Sequence, residues 1–283
     1  MRKPIASDSF YSSDPSELFS QVKSFLLEVN KEDAEIIISP HAGYIYSGRC
    51  AGEVYSRFDK KEKIDTIILL GPNHSGVGEN ISISFQSFLT PFGKVDNDNE
   101  LGRLILNNAK EEGLDIDENQ NAHNSEHSLE VQLPFVQTVY GNEVGIVPLI
   151  FRKMSHEGGI KFAEVIYRSV KNLERKVKIV LSSDFSHYGD FYGFIPFTDN
   201  IKENLYNLDM KAVDFILNLD SYNFYNYAIK KTTICGIYAI IVGIELAKLF
   251  NFNSVEKVCF YNSGDVTRDY SNSVDYVGII FKK

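Results

Sequence analysis

The stretch ISPHAGYIYSG, residues 38–48, is the basis of the fold that we predict for this chain. The apolar run EIII that leads into it predicts a short buried strand, and Pro40 ends the strand because proline has no backbone N–H to donate. His41 therefore follows the strand directly, and Gly43 and Gly48 permit tight backbone turns beside it. In α/β proteins, ligands bind in the crevice outside the carboxyl ends of the strands. The pattern thus places a titratable side chain at such a crevice.

Further predicted strands end in the same way. A strand at residues 66–70 leads to His74, which stands in the turn sequence GPNHSG, and a strand at residues 177–183 leads to Asp184 and His187. A single histidine after a strand is more often a hydrogen-bonded structural residue than a ligand. Several strands that end in titratable groups indicate a site, provided that the fold brings these ends together.

Strands alternate with helices along the whole chain, and there is no linker rich in Pro, Gly or Ser. The 283 residues are 43% hydrophobic, which is enough to bury a core. We therefore predict an α/β fold: a single domain over residues 1–283, with a central, mostly parallel mixed sheet flanked by helices.

Local patterns make further predictions next to the candidate site. The alternating ISISF at residues 81–85 predicts a half-exposed strand, and the polar, aperiodic residues 115–125 predict a loop. Residues 126–140 predict a helix with a kink at its proline, and residues 48–58 predict a short helix. Glu126 would then lie near a positive helix end, where a carboxylate either interacts with the helix dipole or belongs to the site.

Charge and composition exclude several classes of partner. The net charge of −9 argues against a nucleic-acid partner, because such proteins usually carry a basic stripe. The apolar stretch at residues 234–244 is too short to span a bilayer, and the first residues lack the apolar segment of a signal peptide. Three cysteines are too few for a disulfide framework. We expect a soluble, cytoplasmic protein without nucleic-acid or membrane partners.

Asp184 and His187 are three residues apart, which puts them on one face if the chain turns helically there. In one interpretation they form an acid/base pair, in which the carboxylate orients the imidazole and tunes its pKa. In the other, a helix begins here with Ser183 or Asp184 as its cap and with His187 exposed. The sequence leaves both interpretations open.

Cys235 differs from the other cysteines in its setting. It precedes an apolar helix, and a helix N-terminus lowers the pKa of a thiol and favours the thiolate that binds metals. Cys50, inside a predicted helix, and Cys259, inside an apolar strand, fit the usual role of a small buried hydrophobe. His123 and His156 are expected at the surface.

A series of short motifs follows along the chain. They are RKP (2–4), FY (10–11), PHAGY (40–44), YSG (46–48), GPNH (71–74), EHSLEVQLPF (126–135), SSDFSHY (182–188), CG (235–236) and SGD (263–265). This ordered series resembles the Memo family, also called the protein B component of the AmmeMemoRadiSam system, over nearly the whole chain. Asp8 and Ser12 stand where that family usually has Gly and Pro.

The resemblance implies a fold similar to the class III extradiol dioxygenases, non-haem iron enzymes that cleave catechol rings. Those enzymes bind Fe(II) through two His and one Glu, and another His acts as acid/base. By motif, His41 and His74 match the two His ligands and Cys235 takes the place of the Glu. His187 matches the acid/base, with Asp184 as its neighbour. A thiolate is softer than a carboxylate, so Cu or Zn would be accepted as well as Fe(II).

The resemblance also implies roles for other motif residues, in the substrate pocket or around the ligands: Tyr44, Asn73, Glu126, His127 and Glu130. Two functions stay open. One is a non-haem iron or copper oxidoreductase that acts on a small-molecule substrate. The other is a non-catalytic adaptor whose pocket binds a peptide or a protein partner, such as a radical-SAM or AMMECR-type protein. A zinc hydrolase is a third, weaker alternative.

Overall fold

Strands and helices alternate around one large sheet. The computed structural model describes residues 1–29, 33–58 and 62–283. Its strands are β1 Ala34–Ser39, β2 Thr66–Pro72, β3 Ile81–Ile83, β4 Phe88–Thr90, β5 Gly93–Val95, β6 Ile116–Glu118, β7 Gly145–Phe151, β8 Val177–Ser182, β9 His187–Gly189, β10 Ser254–Asn262 and β11 Asn272–Lys282. Its helices are α1 Pro15–Phe25, α2 Tyr44–Tyr55, α3 Asn99–Glu111, α4 Gln120–Asn124, α5 Leu133–Tyr140, α6 His156–Asn172, α7 Ile201–Leu217, α8 Ser221–Lys231, α9 Ile237–Phe250 and α10 Ser263–Thr267. None of the helices in these residues is long and apolar enough to cross a lipid bilayer.

Parallel strands form the centre of the sheet. The strand order is β10-β11-β1-β8-β2-β7-β3-β6, and β9 pairs with β11 outside this path. Strands β1, β8, β2 and β7 run parallel to one another. Antiparallel partners flank them, β11 beside β1 and β3 beside β7. The predicted α/β fold with a mixed central sheet is confirmed.

Apolar side chains cover both faces of the sheet. Along β1, Ile36 and Ile38 belong to one core, and Ile37 belongs to the core on the opposite face. Successive strand residues point to opposite faces, so a continuous apolar run is expected only where both faces are buried. This explains the apolar run of three isoleucines, residues 36–38, in β1.

The ends of three adjacent strands position the candidate site. β8 lies between β1 and β2, and the carboxyl ends of these parallel strands reach the same edge of the sheet. His41 follows β1, His74 follows β2 and Asp184 follows β8, each by two residues. The fold therefore brings together the strand ends that the sequence singled out.

Residues 115–125 form a strand and a short helix, so the prediction of a loop there is wrong. It contains β6, which pairs with β3, and α4, whose N-terminus is capped by the side chain of Asn119. β3 is buried on both faces and not half-exposed, and the buried Ser82 hydroxyl is satisfied by donating to Asp117 of β6 at 2.7 Å. His123 on α4 is consequently buried, contrary to its expected surface position, and its Nε2 lies 3.0 Å from the Ser82 carbonyl oxygen.

The predicted helix over residues 126–140 begins later than expected. A 3-10 turn at Glu130–Gln132 precedes α5, and Pro134 lies in the first turn of α5. A proline is tolerated there because the first N–H groups of a helix have no partner inside it, so no kink results. Glu126 therefore does not lie at a helix N-terminus, and the dipole interpretation is wrong for it.

Helix α2 begins at Tyr44, four residues before the predicted start, so Gly48 lies inside the helix and not in a turn. Its role is close packing, because a Cβ atom at Gly48 would lie 2.4 Å from the ring of Phe25. Helix α1 is capped at its N-terminus by Asp14, whose side chain accepts hydrogen bonds from the N–H groups of Ser16 and Glu17.

Candidate metal centre

His41 is buried at the end of β1, and its hydrogen bonds determine its tautomer. Its Nδ1 lies 2.9 Å from the Ser182 hydroxyl oxygen, and the Ser182 hydroxyl donates its own proton to the Ser128 carbonyl oxygen at 2.7 Å. Ser182 can therefore only accept from His41, which places the imidazole proton on Nδ1. The unprotonated Nε2 is left with a lone pair for another partner. Burial, followed by the nearby imidazoles, holds the pKa of His41 well below its usual range.

His74 follows β2 and is held by Glu126. One carboxylate oxygen of Glu126 accepts from the His74 backbone N–H at 2.5 Å, and the other lies 3.0 Å from Nδ1 of the ring. Burial opposes a charge on His74, but its hydrogen bonds with Cys235 and Glu126 outweigh burial and raise its pKa to about 10. Burial would also raise the pKa of Glu126, but the bonds from His74 lower it to about 2. Glu126 thus holds Nδ1, and Nε2 of His74 would bind a metal ion by releasing the proton that the raised pKa keeps on the ring.

His127 joins these two side chains. Ligand atoms of His41, His74 and His127 all lie within 4.8 Å of one another, so the three histidines could hold one metal ion. The rings of His74 and His127 stack with their centroids 5.1 Å apart. Imidazole nitrogen is a good ligand for Zn, Cu, Fe and Ni. The resemblance placed His127 in the pocket or around the ligands, and the structure places it among the ligand candidates themselves.

Cys235 lies beside the same histidines, just before α9. Its Sγ is 3.3 Å from Nε2 of His41 and 3.2 Å from the backbone N of Asp184. The three predicted ligands, His41, His74 and Cys235, therefore lie together, although their role as ligands stays a prediction. The expected lowering of the thiol pKa is wrong. Burial raises the pKa of Cys235, and it outweighs the opposing hydrogen bond with His74.

Asp184 and His187 line the same cavity but do not have the predicted arrangement. No helix begins at Asp184; the chain continues to strand β9, which starts at His187. The Asp184 carboxylate accepts from the backbone N–H of His41 at 2.8 Å, and burial raises its pKa to about 7. The ring of His187 is instead held by Thr233, with Nδ1 3.2 Å from the carbonyl oxygen of Thr233. Burial lowers the pKa of His187.

A cavity of about 550 Å³ opens beside these groups. Its lining includes His41, His74, His127, Asp184 and His187, together with the aromatic residues Phe10, Tyr46, Phe191, Tyr192 and Tyr276. Within the described part of the chain, no Lys or Arg side chain lines this cavity. The guanidinium of Arg49 lies over the ring of Tyr261, 4.3 Å from its centroid, and does not line the cavity.

Comparison with known proteins decides the family. A family model described as Memo-like protein matches residues 2–280. The chain belongs to the Memo family. It is 37% identical over 286 residues to a MEMO1 family protein of Aquifex aeolicus, with 99% of each chain covered. It is 34% identical over 285 residues to a MEMO1 family protein of Methanococcoides burtonii, with both chains covered completely.

Several Memo motif residues lie outside the cavity. The Tyr44 hydroxyl donates to the Val131 carbonyl oxygen at 2.6 Å, so this side chain is part of the core. The Asn73 side chain donates to the Val77 carbonyl oxygen at 2.8 Å and shapes the turn around His74. Glu130 is fully buried and pairs with Arg2. These residues support the site from behind and do not line its cavity.

Other contacts of the Memo site were missed from the sequence. Ser182 orients His41, Thr233 holds His187, and the ring of Phe10 lies 4.6 Å from the ring of His127. Ser182 belongs to the motif SSDFSHY and ends a buried strand, which is a usable signal. Phe10 belongs to the motif FY, whereas Thr233 belongs to none of the motifs, and no local pattern indicates that either residue contacts the site.

Proposed function

We propose that this Memo-family protein is a metal-dependent oxidoreductase with one non-haem ion, iron before copper, held by His41, His74 and Cys235. One observation carries the proposal. Nδ1 of His41 forms a hydrogen bond with Ser182, and Nδ1 of His74 forms one with Glu126, so Nε2 is the nitrogen of each ring that could bind a metal ion. Metal-binding histidines in proteins are held in this way, because the bond at one ring nitrogen orients the other.

The donor set fits such an ion. Ca²⁺ and Mg²⁺ take oxygen ligands, whereas imidazole and thiol groups suit iron, copper and zinc. Cys235 Sγ lies 3.3 Å from Nε2 of His41, close enough for both atoms to share one ion. His127 is the alternative third donor, because its ligand atom also lies within 4.8 Å of those of His41 and His74.

A bound iron or copper ion would supply the one-electron chemistry that amino acid side chains lack. The chain's own contribution to proton movement is His187. The Thr233 carbonyl oxygen can only accept, so Nδ1 of His187 carries the proton and donates to it. Nε2 is then unprotonated and free to accept a proton from a molecule in the cavity, as a general base does.

The cavity favours a small molecule over an anionic peptide. Aromatic side chains form much of its wall, and in the described residues neither Lys nor Arg contributes to the lining. Recognition of phosphorylated or acidic peptides usually depends on arginine clusters. The adaptor function therefore has less support from this cavity than an oxidoreductase function has.

O₂ uptake by protein loaded anaerobically with Fe(II) tests the proposal. Uptake is measured without substrate and then with catechol as the probe, for the wild type, His187→Ala and His41→Ala. We expect uptake by the wild type, retained iron without uptake in His187→Ala, and loss of iron in His41→Ala. His156→Ala, a change outside the cavity, is the matched control. Iron-loaded wild type that takes up no more O₂ than His41→Ala would contradict the proposal.

A further inference from the structure

Arg2 is a buried cation that faces the candidate site from behind. It is 2% exposed, and its backbone pairs with the strand segment around Phe88. Its guanidinium lies over the Phe88 ring, 4.9 Å from the centroid. Burial of a charge is costly unless every polar contact is satisfied, so the partners of this guanidinium define its role.

The guanidinium spans the turn that carries two residues of the site. Nε donates to the His123 carbonyl oxygen at 2.7 Å, and Nη2 donates to the Glu126 carbonyl oxygen at 2.6 Å. The same turn presents the Glu126 side chain to His74 and the His127 ring to the cavity. The planar, rigid guanidinium can hold both carbonyl groups at once, which a lysine ammonium cannot do in the same geometry.

The remaining guanidinium nitrogen, Nη1, donates to Oε2 of Glu130 at 2.6 Å. Glu130 also accepts from the backbone N–H of Ala6 at 2.8 Å and from the Tyr11 hydroxyl at 2.6 Å. The Glu130 carboxylate therefore holds residues 6–11 in place. This segment includes Phe10, whose ring centroid lies 4.6 Å from that of His127. One buried ion pair thus connects the turn at Glu126 with the segment that packs on His127.

We infer that Arg2 is a positioning residue of the metal centre, which fixes the turn of residues 123–127 so that Glu126 orients His74. The inference rests on the proposed function, since it assigns Arg2 a role in holding the ligands of the metal. It predicts that metal affinity depends on a side chain that makes no contact with the ion. Residues that orient ligands in this way typically change metal affinity about tenfold to a hundredfold when they are replaced.

The test measures the dissociation constant for Co(II) by competition with a chelator, at a temperature where thermal melts show every variant to be folded. Arg2→Lys keeps the charge beside Glu130 but cannot hold both carbonyl groups. Arg2→Met combined with Glu130→Gln removes both charges and leaves no unpaired buried ion. We expect weaker Co(II) binding in both variants, by about tenfold or more. Arg175→Lys is the matched control, because Arg175 bridges Asp98 and Glu100 at the opposite edge of the sheet.

Double-mutant cycles separate positioning from a general structural effect. If Arg2 acts through Glu126, the losses from Arg2→Lys and Glu126→Gln should not add, whereas those from Arg2→Lys and Cys235→Ser should. Arg2→Lys that lowers the melting temperature but leaves Co(II) affinity unchanged would contradict this inference alone. Full additivity with Glu126→Gln would contradict it as well. Wild type that binds no Co(II) would overturn the proposed function together with the inference.

Discussion

The sulfur atom of Cys235 distinguishes this site from a site made of three histidines. Its Sγ lies 3.3 Å from Nε2 of His41, whereas Cys50 and Cys259 belong to a separate apolar cluster. We predict that Cys235→Ser weakens metal binding about tenfold or more, because a protonated hydroxyl is a poor ligand for a soft site. Cys50→Ser and Cys259→Ser should leave metal binding nearly unchanged. All three affinities are measured by the Co(II) competition described above. Equal losses in all three variants would show that the cysteines act through stability.

His123 makes the folded protein sensitive to acid. Burial lowers its pKa from the usual 6.5 to about 4 in the folded state. A base whose folded pKa is lowered contributes stability above its unfolded pKa, and this contribution is lost as the pH falls through the folded value. We therefore predict that the free energy of unfolding falls between about pH 6.5 and pH 4, with His123 contributing up to about 3 kcal/mol of that loss.

His123→Gln isolates this contribution. Glutamine does not titrate, and its amide can donate to the Ser82 carbonyl oxygen as Nε2 of His123 does. Urea titrations at several pH values should give a shallower loss of stability below pH 6.5 for the variant than for the wild type. Parallel pH curves for the two proteins would refute the assignment to His123.

The packing of helix α1 on helix α2 depends on Gly52, which has no side chain. A Cβ atom at Gly52 would lie 2.3 Å from the carbonyl oxygen of Phe25, and this oxygen belongs to the backbone and cannot rotate away. We predict that Gly52→Ala lowers the free energy of unfolding by about 1–3 kcal/mol, measured by urea titration, because the helices are forced apart. Glu53→Ala, in the same helix, is the control. A stability gain in Gly52→Ala, as in an unconstrained helix, would contradict this packing.

Elements with strong apolar patterns were predictable, and elements made by tertiary pairing were not. β1 and β2 were evident from their apolar runs, because parallel strands covered on both faces need such runs. β6 has the polar sequence Ile-Asp-Glu and forms only because β3 lies beside it. The delayed start of α5 follows from Pro134 and from the burial of Glu126 and Glu130, whose partners are far away in the sequence.

For the whole molecule, the candidate site was predictable to the extent that strand order brings strand ends together. His41, His74 and Asp184 each follow a central strand, so their proximity follows from the α/β fold. Cys235 was singled out by its position before an apolar helix, but its place beside the two histidines depended on the resemblance to the Memo family. The role of Arg2 was not predictable, because its three partners lie more than a hundred residues away along the chain.

Elemental analysis of protein purified without oxygen shows whether the chain binds a transition metal. The wild type should carry one transition metal ion per chain, and iron is expected first. The double variant His41→Ala/His74→Ala should carry none while its thermal melt shows a folded protein. A wild type without a stoichiometric transition metal, or a double variant that keeps its metal, would contradict the account.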